Sequence, residues 1–376
     1  MIAALFFSTD EDDDDSESDE EKQLTFTRKA LRQQSNPFDF QDAEFVRKFR
    51  MSKKAFRYVF DQISSKLKTH RSTAIPPILK LATALRILAE DSFQLNAGND
   101  LNLGLAQPTV SKIFKDLIDI LEVEICPKWI TFNMSDTEKA EAKLYFFEKT
   151  GFPGVIGCID GMHIKIVKPK KDDEQHLFLN RNRVYSLNAM IVCDHKMFIR
   201  YIDARHHGCN PDALIWNSSE LRAKLKKKFK AGETNTWLLG DLKYPLEPFL
   251  ITPFRDVKVA SPESCFNSTH ENARNTINTT ISVIKNRFRC LLGTRLLHYE
   301  PSKVTRIANV CAALHNICMH FDGATHFVDD AATVEAETTE ADLEHDEFYA
   351  NGTDVVAETI RNQIMEAMVY LKSEPQ

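Results

Sequence analysis

"GVIGCIDGMHIKI", Gly154 to Ile166, is the stretch on which the fold turns. Val155, Ile156, Cys158 and Ile159 form a short apolar run of the kind a buried strand makes, and Asp160 follows it directly. A carboxylate there is costly unless something pairs with it. Either Asp160 is tied into a structural hydrogen-bond network, or it holds a cation.

A second acid is placed the same way. "WLLGDLKYP" (237–245) puts Asp241 at the end of a short apolar strand, just before a turn at Tyr244-Pro245. The two aspartates can meet if their strands are neighbours, and two carboxylates that close repel unless a cation sits between them. Mg²⁺ or Mn²⁺ favours such an all-oxygen setting. Two such ions about 3.5–4 Å apart can activate a water and stabilise the leaving oxygen of a phosphodiester. The plainer reading is that Asp160 and Asp241 cap separate turns and never meet.

Outward from these acids, the texture is strand-like over 154–167, 185–194 and 197–208, then helical through "DALIWNSSELRAKLKKKF" (212–229). After the short strand at Asp241 come two further helices, at 269–289 and 302–321. Three adjacent strands, a helix, a short strand and more helices is the order of a ribonuclease-H-like α/β fold. We therefore expect six segments: an acidic disordered tail (1–40), a helical domain (41–127), a linking helix (128–150), the α/β nuclease-type domain (151–321), an acidic linker (322–356) and a terminal amphipathic helix (357–373). In that last helix Ile360, Ile364, Met368 and Leu371 share one side.

Charge is distributed unevenly. Residues 1–22 carry −9 and residues 322–376 carry −12, which leaves +15 on 23–321 in a chain of net charge −6. A basic body between acidic tails suggests a polyanion partner. None of the eight cysteines forms a C-x-x-C pair, so neither a zinc ribbon nor a thioredoxin motif is written here. No stretch has transmembrane length, and the expectation is a soluble intracellular protein without membrane contact. "KLKKKFK" (224–230) reads either as a nuclear import signal or as the wet face of a helix.

Within the helical half, "LGLAQPTVSKIFKDLIDIL" contains a turn at Gly104 and a helix whose stripe is Val110, Ile113, Phe114 and Leu117. Gln107, Thr109, Ser111, Lys112 and Lys115 surround that stripe. The pattern fits a helix-turn-helix whose second helix offers small polar and basic side chains to DNA. Any short helical hairpin with a lysine-bearing face reads the same way.

Four ordered blocks then make the sequence recognisable: "GFPGVIGCIDGMHIKI", "WLLGDLKYPLEPFLITPF", "FNSTHENARNTINTTISVIKNRFRCL" and "ANVCAALHNIC". Together they resemble the PIF/Harbinger transposase family, including its domesticated nuclease members. The resemblance implies a ribonuclease-H-like DDE nuclease core, two divalent metals (Mg²⁺ or Mn²⁺) and an Asp-Asp-Glu triad. Asp160 takes the first position and Asp241 the second. The third lies on a helix after Phe266, Asn267, His270, Arg274 and Ile277, and there this chain has Asn278. Met162, Leu242-Lys243 and Ser282 are smaller departures from the family pattern. Glu271 is no substitute, since seven residues of helix rise about 10.5 Å. With one anionic ligand fewer, metal affinity and cleavage are expected to be weakened or lost. Arg274 and Lys285 flank Asn278 and are read as a basic face for nucleic acid. The resemblance also implies nuclear location, with or without a cytoplasmic share, and a Myb-like DNA-binding protein as partner.

Overall fold

The computed structural model describes residues 35–67, 75–90, 105, 107–170, 174–293, 296–323 and 354–373. The expectations for most of the two acidic segments and for the turn at Gly104 fall outside these residues. The folded body nonetheless begins earlier than expected. Pro37–Asp39 form a 3-10 turn in which the Asn36 side chain accepts from the Phe38 amide. Phe38 stacks on Phe45 and meets Phe56 edge-on, so apolar packing holds a segment whose neighbours read as tail.

Helices α1 (Asp42–Phe49) and α2 (Lys53–Ile63) follow. Ser52 caps α2 by accepting from the Ala55 amide, and Phe56, Val59 and Ile63 are buried at helical spacing. Helix α3 (Pro77–Ala89) opens on its proline and is buried on nearly every side from Leu81 onward. Helix α4 (Gln107–Glu124) buries Val110, Ile113, Phe114 and Leu117, the expected stripe, extended by Ile118 and Leu121. A single turn, α5 (Cys126–Trp129), leads to α6 (Asp136–Thr150), which starts on a complete capping box between Ser135 and Glu138.

The sheet comes next. Strand β1 (Val155–Lys165) precedes a helical turn, α7 (Gln175–Phe178), and then β2 (Ser186–Cys193) and β3 (Ile199–His207). Helices α8 (Asp212–Ser218) and α9 (Glu220–Lys230) lead to two short strands, β4 (Trp237–Leu239) and β5 (Leu250–Ile251). The order is β3-β2-β1-β4-β5, with the first three antiparallel and β1, β4 and β5 parallel. All eight residues of β2 are buried, as a strand covered on both faces requires.

Three helices close the chain: α10 (Pro262–Arg287), α11 (Pro301–Asp322) and α12 (Val355–Ser373). One apolar cluster joins α1–α4 to the sheet face carrying Cys158, Met162 and Ile164 and to α10 and α11. A second, smaller cluster lies around Ile156, Ile159, Trp216, Tyr244 and Phe249. The apolar side of α12 is already used, because Ile364 and Met368 belong to the larger cluster. Arg361 also donates to the carbonyls of Thr252 and Pro253 just past β5.

The "LHNIC" text of α11 has a structural reason. His315 Nε2–H donates to the Met197 carbonyl at 2.9 Å. Asn316 accepts from Ile199 N at 2.8 Å and donates to the carbonyls of Ile199 and Trp129 at 2.8 and 2.7 Å. It thus ties α11 to edge strand β3 and to α5. Asn316→Ala leaves three backbone groups, two of them buried, without their partner and is expected to lower unfolding stability by about 2–4 kcal/mol in a urea titration. A loss under about 1 kcal/mol would mean that water replaces the amide.

Candidate carboxylate site

Parallel pairing brings the two aspartates together. Cys158 of β1 faces Leu239 of β4, and two residues beyond each lie Asp160 and Asp241. Each carboxylate is fixed by a local amide: Asp160 Oδ1 accepts from Gly161 N at 2.8 Å, and Asp241 Oδ1 accepts from Lys243 N at 3.0 Å. Their other oxygens share one donor. Arg274 Nη2 lies 2.6 Å from Asp160 Oδ2 and 3.3 Å from Asp241 Oδ2.

A long helix delivers that guanidinium. Successive turns of α10 carry Asn267, which both accepts from and donates to the Phe254 backbone, and His270, whose Nε2–H donates to the Ile251 carbonyl at 3.1 Å. Phe266 packs against Phe152 and Phe254. With α10 clamped to the end of β5, Arg274 arrives one turn later over the carboxylates.

A third carboxylate was not anticipated. Asp212, the first residue of α8, is buried, and Asn188 Nδ2 donates to its Oδ1 at 2.8 Å. A Cβ at position 161 would overlap Asp212 Oδ1, so glycine there is what lets α8 approach β1. Burial pushes the Asp212 carboxyl up to about 7, with Lys243 pulling it down and Asp241 and Asp160 pushing it further up. Burial likewise raises Asp160, opposed by Arg274 and reinforced by Asp241. In the sequence Asp212 is only the first residue of the helical text at 212–229. The available signal was its place in "CNPDA", an aspartate directly after a turn that leaves the last antiparallel strand.

The donor set is all oxygen, which suits a hard divalent ion in kind. The hydroxyl of Tyr244 and Asn188 Oδ1 are buried beside it without a hydrogen-bond partner. Among the described residues, however, no three His, Cys, Asp or Glu side chains are grouped to hold a metal ion. The charge between Asp160 and Asp241 is met by Arg274.

Residues 159–316 match the family described as DDE superfamily endonuclease, a span that holds Asp160, Asp212, Asp241 and Asn278. The chain is 31% identical over 253 residues to "Putative nuclease HARBI1" of Mus musculus, covering 67% of this chain and 70% of that protein. It belongs to the Harbinger-transposase-derived DDE nuclease family. The Bos taurus protein of the same name is 29% identical over 79% of this chain and 81% of its own length. In Arabidopsis thaliana, the protein named antagonist of like heterochromatin protein 1 is 27% identical, over 74% of this chain and 73% of its own. No solved structure matches. The five-stranded mixed sheet with its helices is consistent with a DDE endonuclease core, a superfamily whose members generally use divalent metals.

One expectation from the sequence changes in the structure. Arg274 and Lys285 do not form an open basic face: Arg274 turns inward onto the aspartates, and Lys285 is only 7% exposed, because residues 283–288 are all buried. Asn278 sits exposed on α10, one turn past Arg274. On α4, Gln107, Lys112 and Lys115 are exposed, and Thr109 and Ser111 are half-buried. The helix exists as expected, but the turn that would make it a helix-turn-helix lies outside the described residues. Among the described residues no helix is long and apolar enough to cross a membrane.

Proposed function

We propose that this is a domesticated Harbinger-transposase-like nuclear, DNA-binding protein with a metal-dependent, ribonuclease-H-like nuclease fold, its phosphodiester cleavage weakened or lost. The observation that carries it is the charge pattern of the site. Two aspartates share one arginine, while the position of the expected glutamate is a neutral, solvent-facing Asn278.

Asp160 and Asp241 would hold the Mg²⁺ or Mn²⁺, which when bound polarises phosphate and lowers the pKa of a water. The chain's own part is orientation. The Gly161 and Lys243 amides fix one oxygen of each aspartate and leave the other facing Arg274. Gln107, Thr109, Ser111, Lys112 and Lys115 on α4 are the DNA contacts in this reading, supported by the basic body and by the exposure of both lysines. The lysine-rich face of α9 supports nuclear entry. A Myb-like protein is the partner this family reading suggests. The alternatives are a working Mg²⁺-dependent endonuclease and a module that only binds protein. The docked apolar side of α12 weakens the latter, since that face is not free to receive a partner.

One experiment separates the readings: plasmid binding and cleavage in Mg²⁺ and Mn²⁺ by wild type, Asp160→Ala, Asn278→Glu and Lys112→Ala/Lys115→Ala. Wild type should bind with strong salt dependence and leave the plasmid intact. The double lysine variant should flatten the salt slope by about two phosphate contacts. Asn278→Glu should gain cleavage. Wild-type cleavage that disappears in Asp160→Ala would make the protein an active nuclease, and absence of DNA affinity in folded protein would remove the DNA-binding reading.

A further inference from the structure

We propose that Arg274 is the resident cation of the Asp160–Asp241 pair, and that it competes with a divalent ion for the one position between them. This rests on reading the two aspartates as a cation site and says what decides whether that site fills.

Three observations carry it. First, a single nitrogen, Nη2, reaches both carboxylates, the bridging position a shared metal ion would take. Second, the guanidinium is held there by charge. Its Nε is buried without a hydrogen-bond partner, so the contacts that hold the group are those of Nη2 to the two aspartates, and its side chain is only 15% exposed. Third, the helix that brings it is fixed upstream by Asn267 on the Phe254 backbone and His270 on the Ile251 carbonyl. The arginine therefore has little freedom to swing away by moving α10.

The neutral residue at 278 completes the argument. Arg274 and position 278 are four residues apart on α10, neighbours on one helical face. A glutamate there would offer Arg274 a third carboxylate partner and draw it from the aspartates. Asn278 offers no charge. The substitution thus acts twice: it removes an anionic group, and it leaves the arginine no competing partner. A bland ion pair would look similar in geometry, but it predicts that removing the arginine only destabilises the protein. Competition predicts that a metal replaces it.

The test is Mn²⁺ binding to the full chain, read from free Mn²⁺ by electron paramagnetic resonance and from the melting temperature with and without Mn²⁺. Wild type, Arg274→Gln, Arg274→Met and Arg274→Gln/Asp160→Asn are compared. Arg274→Gln should melt lower than wild type without metal and bind Mn²⁺ at least about tenfold more tightly, with its melting temperature rising accordingly. Adding Asp160→Asn should abolish that response. Arg274→Met keeps the aliphatic stem and should behave like Arg274→Gln. Equal Mn²⁺ affinity in wild type and Arg274→Gln would overturn competition while leaving the cation site standing. No Mn²⁺ binding by either, in folded protein, would overturn the competition and the cation-site reading together. Variants that fold only when Mn²⁺ is present support it; variants that fail to fold even then overturn it, because the ion could not take the arginine's place.

Discussion

Trp216→Ala is expected to lower the unfolding free energy by about 3–5 kcal/mol, enough to threaten folding altogether. Trp216 is fully buried in α8, and its indole meets the rings of Tyr244 and Phe249. Truncation leaves a cavity at the centre of the smaller apolar cluster. It also removes the indole N–H that donates to Glu247 Oε2 at 2.8 Å. Glu247 is itself buried and keeps the Arg222 fork, with contacts of 2.7 and 2.9 Å. The carboxylate therefore stays paired, and most of the cost is packing. Trp216→Phe should recover more than half of the loss. Chemical denaturation with an unchanged slope checks both variants, and a loss below about 1 kcal/mol for alanine would mean that α8 carries no core weight. Because Asp212 opens the same helix, the variant should also disturb the carboxylate cluster.

The second large effect concerns pH. His315 is fully buried, and burial, with Arg287 nearby, pushes its imidazole down to about 3 from an ordinary 6.5, against the Met197 carbonyl that pulls it up. The folded protein keeps it neutral while the unfolded chain protonates below about 6.5. Its contribution is thus complete above pH 6.5 and is lost as pH falls toward 3, at about 1.4 kcal/mol per unit. His270, pushed down to about 4 by burial, acts in the same direction. Asp212, pushed up to about 7, acts oppositely, because the folded state holds a proton that the unfolded chain has released. The bare pH curve mixes these signs, so the measurement is a difference. His315→Gln sets an amide N–H near the Met197 carbonyl and does not titrate. Between pH 6.5 and 4.5 the stability of wild type relative to His315→Gln should fall by about 2 kcal/mol. Parallel curves would mean that His315 is charged when folded.

Much of this was legible in the chain. The short apolar run before Asp241 marked a strand end as expected, but Asp160 lies in the middle of β1 rather than at its end: only the pairing with β4 stops at Cys158, which leaves the acid beside Asp241. The α4 stripe was equally readable, because local periodicity decides it. Asp212 was hidden because its role depends on an absent side chain, at Gly161, far earlier in the chain. Arg274 and Lys285 misled for a related reason. Charge on a helix implies solvent only when nothing covers that face, and α10 is covered at both positions by contacts distant in sequence. The family motif named the position of Asn278 but not the arginine's response to it.

The Asn316 clamp also bears on how the chain is made. Strand β3 is the edge of the sheet, and its Ile199 backbone is satisfied by a side chain 117 residues later. While the ribosome is still short of residue 316, the hairpin of β2 and β3 has an unsealed border open to pairing with other chains. Nascent chains stopped before this point should therefore be more prone to sticking to one another than chains that include α11.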